Sequence, residues 1–164
     1  MKNAELLIQA ELRRNSARCG VRLSETLEVH LVLTTSRYLS EGLESALLTV
    51  RLIRAGDERK TSGVFRKIGD DCLVTCALFP EIIKRQGGSL AHYAGVGRAA
   101  YDSAGLTEAA YGFGLMLDVL SAFRDETDPV HDLMDRARAG SKVAQHKLSD
   151  SVVVPFVGRP RAGF

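Results

Sequence analysis

The chain has 164 residues, 45% of them hydrophobic and 26% charged, enough for one compact domain expected to bury roughly 70% of the surface its unfolded form would expose. These fractions are those of an ordinary globular protein and exclude a disordered, collagen-like or coiled-coil chain. The formal net charge of +2 hides a division: residues 1–22 carry five basic and two acidic groups, 23–135 eleven and seventeen, and 136–164 six and one, so an acidic body lies between basic ends that could attract a polyanion or the body of a second copy.

The opening residues place Glu5 before the short apolar run Leu6-Leu7-Ile8, which is too short for the core of a signal peptide, so secretion is not expected. The longest apolar stretch, Ala109 to Leu117, has nine residues, far short of the roughly 20 that cross a bilayer. Three cysteines, Cys19, Cys72 and Cys76, make an odd number in a chain long enough to fold without disulfides, which predicts a reducing, cytoplasmic setting.

In chain order, Leu27, Leu31, Tyr38 and Leu39 recur at helical spacing behind Ser24, whose hydroxyl suits an N-cap. Leu43, Leu47, Val50 and Ile53 repeat the stripe as far as Gly56, with Gly42 either kinking one long helix or separating two. Val64, Phe65 and Ile68 permit a short helix flanked by Gly63 and Gly69. Asp70 or Asp71 can then cap Cys72–Phe79, a run hydrophobic nearly all round and therefore expected in the middle of the core. Pro80 enforces a bend and opens a second short helix, which Gly87-Gly88 ends. Ser89 caps a helix carrying Tyr93, Val96, Gly97, Ala100 and Tyr101 on one side, and Ala104-Gly105 stops it. Thr107 is expected to cap one helix over 108–124. Asp128-Pro129 opens a helix closed by Gly140, and Ser141 caps another to about Asp150. From Ser151 onward, β-branched residues and two prolines predict an extended segment. The expected architecture is all-α: a compact single-domain bundle of six to eight helices, with a basic N-terminal helix or arm over 1–22, a helical domain over 23–150, and an extended basic C-terminal tail over 151–164.

Chemistry is sparse. Gly95-Val96-Gly97-Arg98-Ala99-Ala100 has the letters of a dinucleotide fingerprint, but that motif must follow a buried strand, and here the preceding residues continue a helix. Cys72 and Cys76 lie four apart on a predicted helix, and with Asp70, Asp71, His92 and Tyr93 they are the candidates for a ligand or metal pocket. No second cysteine pair completes a zinc set, so no metal and no cofactor is assigned. His30, His92, His131 and His146 are scattered, with no Glu-x-x-His pairing of the di-iron kind. No nucleophile elbow, P-loop or His-Glu-x-x-His occurs; no catalytic residue is assigned and a non-enzymatic role is favoured. Arg13, Arg14, Arg18 and Arg22 could face nucleic acid, but the same spacing describes a solvated helix face. The tail's Val153, Pro155 and Phe156 should fold back or bind a partner, with Arg159 and Arg161 pinning its end.

The pattern Gly69-Asp70-Asp71, Leu73, Leu78-Phe79-Pro80-Glu81, Tyr93, Gly97 and Ala100-Tyr101 resembles that of short, uncharacterised bacterial all-α proteins with no assigned activity, over about residues 30–125. The resemblance implies a helical bacterial cytoplasmic protein and lends no functional residue. The expected function is therefore that of a protein-interaction or regulatory protein, self-associating as a homodimer. The rivals are a small helical enzyme or ligand-binding protein with a pocket near Asp70, Cys76 and His92, and nucleic-acid binding through the basic ends. No membrane partner is expected.

Overall fold

A computed structural model describes residues 2–43, 48–57, 61–124, 134 and 136–157, with the backbone alone at 2, 48, 49 and 150–157. The fold is all-α, with no strand among the described residues. Its helices are α1 (Lys2–Cys19), α2 (Glu25–Glu41), α3 (Leu48–Asp57), α4 (Ser62–Leu78), α5 (Pro80–Arg85), α6 (Leu90–Ser103), α7 (Thr107–Tyr111), α8 (Phe113–Ser121) and α9 (Lys142–Val157).

Helix α4 is the centre. Ten consecutive residues, Ile68 to Ala77, are buried, because α4 packs against α6 most extensively and also against α8, α3, α5 and α2. An all-round apolar run demands such surroundings, and this expectation holds. Its start differs from the sequence reading. Instead of a short helix ending at Gly69 and a second one capped by Asp70 or Asp71, one helix runs unbroken from Ser62 to Leu78, with Thr61 as its N-cap residue. Both aspartates are mid-helix and buried. Glycine disfavours a helix interior, but packing overrides this at Gly69, where the ring of Tyr101 fills the space a side chain would take.

Several local signals act as expected. Ser24 accepts from Leu27 N, Ser89 from His92 N, and Ser141 from Ala144 N, each satisfying a first-turn N–H. Gly42 ends α2 at φ 73°, its N–H bonded to Tyr38 O. Pro80 opens α5 after Phe79 leaves helical geometry.

Other expectations change. The helix over 108–124 is broken at Gly112 into α7 and α8, where a Cβ would lie 2.5 Å from Leu27 Cδ1, so the close passage of α2 re-aims the chain. In α3, Ala55 is buried and Leu52 packs on the core, while Val50 and Ile53 of the expected stripe are exposed; Leu47 lies outside the described residues. The backbone remains helical from Lys142 to Val157, so the segment expected to be extended from Ser151 is helical through Val157, intrahelical hydrogen bonding prevailing over the local preference of Val152–Val154. Residues 158–164, with Arg159 and Arg161, lie outside the described residues, as do Asp128-Pro129. Helix α1 packs on α2 and α8, with Leu12 wholly buried.

Candidate functional site

The most concentrated chemistry in the molecule surrounds Asp70. Three helices bring its partners together: His30 and Arg37 come from α2, Arg66 from one turn earlier in α4, and Tyr101 from α6. Asp70 is only 2% exposed. Its Oδ1 accepts from the Tyr101 hydroxyl at 2.7 Å and faces His30 Nε2 at 3.1 Å. Its Oδ2 accepts from Arg37 Nη2 at 2.6 Å. The rings of His30 and Tyr101 meet edge to face at 5.0 Å. Burial alone would raise the Asp70 carboxyl, but His30, Tyr101 and Arg37 outweigh it and hold the group below the usual carboxylate range. The Tyr101 hydroxyl is pushed well above its ordinary value by complete burial and by the adjacent carboxylate, so it remains a donor.

Asp71 points the other way, to Arg51 of α3 at 2.9 Å, while its own carbonyl accepts from Thr75 Oγ1 at 2.6 Å. Burial raises its carboxyl and Arg51 offsets only part of that rise. Adjacent helical residues diverge by about 100°, so the two aspartates fasten α4 to different neighbours rather than sharing a site.

The six residues expected to line a pocket are therefore not brought together. Cys72 and Cys76 are wholly buried, Cys72 against Gly97 and Cys76 with its Sγ 3.9 Å from Leu90 O. Burial pushes the Cys72 thiol well up and the Cys76 thiol up to about 12. His92 is exposed at the start of α6. Tyr93 is buried beside it and donates to Gln86 Oε1 at 3.1 Å. Among the described residues no three His, Cys, Asp or Glu side chains gather in a way that could hold a metal ion. The glycine pair Gly95/Gly97 lies in the middle of α6, with Gly97 against Phe113, which is helix packing and not a phosphate-binding turn.

A third buried carboxylate, Asp118, has a capping role. It accepts from Ser141 Oγ and from Lys142 N, fixing the start of α9 to α8; burial raises its carboxyl, and the hydrogen bonds from Ser141 and the α9 backbone act against this. Arg98 is likewise occupied, donating to Ala139 O at 2.7 Å and lying over the Phe113 ring.

The basic face expected on α1 is partly taken up by surface pairs within the chain. Arg13 pairs with Glu28 of α2 at 2.7 Å, joined there by Gln9, and Arg14 pairs with Glu11. What the sequence reading missed is apolar. Leu6 and Leu7 of α1 are 61% and 70% exposed, and Val29 and Leu33 of α2 are 49% and 43% exposed. Leu6, Val29, Val32 and Leu33 line an open groove between the two helices, edged by Glu5 and Gln9. The signal was present: Val29 and Leu33 are four apart and lie off the stripe of Leu27 and Leu31, so α2 has more apolar positions than one buried face can use. The tail residues Val153, Pro155 and Phe156 lie on α9, and their side chains are outside the described set.

No helix among the described residues is long and apolar enough to cross a membrane. No family model, curated protein or solved structure matches the chain.

Proposed function

We propose that this is a non-enzymatic interaction protein that self-associates as a homodimer through the exposed face of α1 and α2. The observation that carries the proposal is the grouping of the exposed Leu6, Val29 and Leu33 around one open groove. Single exposed apolar residues are ordinary on soluble proteins, whereas a contiguous set marks a contact surface.

The occupant the face fits is a second copy. A two-fold contact is isologous, each copy presenting the same apolar set to the other, and the Leu6, Val29 and Leu33 rim can meet its own counterpart in that way. Charge agrees with it. Helix α1 carries Lys2, Arg13, Arg14 and Arg18 against Glu5 and Glu11, and α2 carries Glu25, Glu28 and Glu41 against Arg37. With Arg13–Glu28 and Arg14–Glu11 paired within the chain, α1 stays net basic and α2 net acidic, so laying α1 of one copy over α2 of the other favours encounter.

The rival readings lack this support. Asp70 has both oxygens engaged within the fold, Oδ1 by the buried Tyr101 and His30 and Oδ2 by Arg37, which is the signature of a structural hub. Two of the α1 arginines are already paired, which weakens the case for a nucleic-acid face. The three cysteines are free thiols, in keeping with a reducing, cytoplasmic setting.

The test of location is a double substitution, Leu6→Glu with Leu33→Glu, followed by sedimentation velocity and circular dichroism. Both side chains are exposed, so the helical spectrum should be kept while self-association is lost. A double variant that still associates as the unaltered chain does would place the contact elsewhere, and removal of residues 151–164 would then probe the tail.

A further inference from the structure

The surface end of the Asp70 network holds more donors than its carboxylate uses. Oδ1 is taken by Tyr101 and His30, and Oδ2 by Arg37 at 2.6 Å. Arg66 Nε stands 3.7 Å from that same Oδ2, beyond hydrogen-bonding distance. Arg66 is thus a second guanidinium held one turn before Asp70 without being needed to satisfy it. Both guanidinium side chains reach the surface, Arg37 at 29% and Arg66 at 34% exposure. Both approach the same oxygen, Arg37 Nη2 at 2.6 Å and Arg66 Nε at 3.7 Å, which sets the two guanidinium groups side by side. On the same face of α2, spaced four from His30 and three from Arg37, Thr34 is buried with a hydroxyl that has no partner among the described residues.

We propose that Arg37 and Arg66 form a binding site for a carboxylate group. One negative charge, Asp70, lies behind two guanidinium charges, leaving one positive charge at the surface. A carboxylate supplies that single charge, and its planar pair of oxygens suits two guanidinium forks. A phosphate dianion would place excess negative charge beside a buried carboxylate. Asp70 pre-orients the pair from behind, so less side-chain freedom is lost on binding. The group can come from a free dicarboxylate or from an acidic side chain of a peptide. The site does not depend on self-association.

The test is NMR of the arginine Nε–H resonances in the full chain, titrated at constant ionic strength with succinate, with a glutamate-rich peptide and with inorganic phosphate. The expected result is a saturable shift at both Arg37 and Arg66 with a carboxylate probe. Arg66→Gln, which leaves all Asp70 hydrogen bonds in place, should keep the folded backbone spectrum and weaken binding at least about tenfold, as loss of a charge-assisted hydrogen bond does. Stronger binding of succinate identifies a small-molecule source, and stronger binding of the peptide a macromolecular one. No saturable shift, tighter binding of phosphate than of either carboxylate, or unchanged binding by Arg66→Gln would overturn the proposal.

Discussion

The ring of Tyr101 occupies the place where residue 69 would carry a side chain: a Cβ built on Gly69 would lie 2.5 Å from both Cδ1 and Cε1. The absent methyl group lets α6 approach α4 closely enough for the Tyr101 hydroxyl to reach Asp70 at 2.7 Å. Packing and polar satisfaction are thereby linked at one point. Gly69→Ala should cost about 1–3 kcal/mol by overpacking, and more if the hydroxyl is pulled from Asp70. Tyr101→Phe keeps the ring and removes the donor, which should cost about 1–3 kcal/mol for the unsatisfied carboxylate. Urea denaturation of the two variants measures both.

Two glycines on α6, two residues apart, should respond with opposite signs. Gly95 has open space where a Cβ would be placed, so Gly95→Ala should stabilise by about 0.5–1 kcal/mol through helix propensity alone. At Gly97 a Cβ would stand 2.5 Å from Phe113 Cε2 and 2.9 Å from Cys72 Cβ. Gly97→Ala should therefore destabilise by about 1–3 kcal/mol. Thermal melts of the pair read the difference directly; equal effects would refute the packing assignment of α6 between α4 and α8.

Acid stability should be set by Asp70. Its carboxyl is lower in the folded state than in the unfolded chain, so its stabilising effect is complete above the unfolded value near 3.9 and is lost as pH falls through the folded value beneath it. Asp71 and Asp118 are raised, burial being the main cause in each. Their contribution has the opposite sign: stability increases as pH falls through their folded values, which lie above about 3.9. Lowering pH from neutrality should therefore leave stability level or slightly higher until these two are protonated, and only then reduce it. Asp70→Asn should lower stability at neutral pH by about 3–5 kcal/mol, since buried donors lose their charge partner, and should flatten the acid limb. Denaturation curves collected across pH on both proteins test the sign.

The thiols should differ in reactivity. Cys72 and Cys76 are wholly buried with raised pKa values, whereas Cys19 is only partly covered. A thiol-specific reagent at mildly alkaline pH should modify Cys19 in the native protein and all three residues only after unfolding. Rapid native modification of Cys76 would contradict its place in the core.

Local chemistry is readable in the sequence where one residue acts on its own turn. The Ser24, Ser89 and Ser141 caps, the Pro80 start and the Gly42 stop need no knowledge of distant residues. The all-round apolar character of Cys72–Phe79 likewise announces the central helix. Asp70 reads as a cap because an aspartate after glycine carries that local meaning. Its actual role comes from His30 and Tyr101, 40 and 31 residues away, and such pairing leaves no local trace. The break at Gly112 is similar, since it answers to Leu27 from another helix. The apolar face of α1 and α2 is obscured for a different reason. Leu6, Leu7, Val29 and Leu33 look like core residues until the fold shows that Leu12, Leu27 and Leu31 have taken the inward positions.

Whether a second copy of the chain covers the α1–α2 face can be decided by native mass spectrometry of the unaltered chain, repeated over a dilution series. A dimer that dissociates to monomer on dilution, with no species of another stoichiometry, is the expected result. A monomer at every concentration, with no bound partner, would contradict self-association through this face.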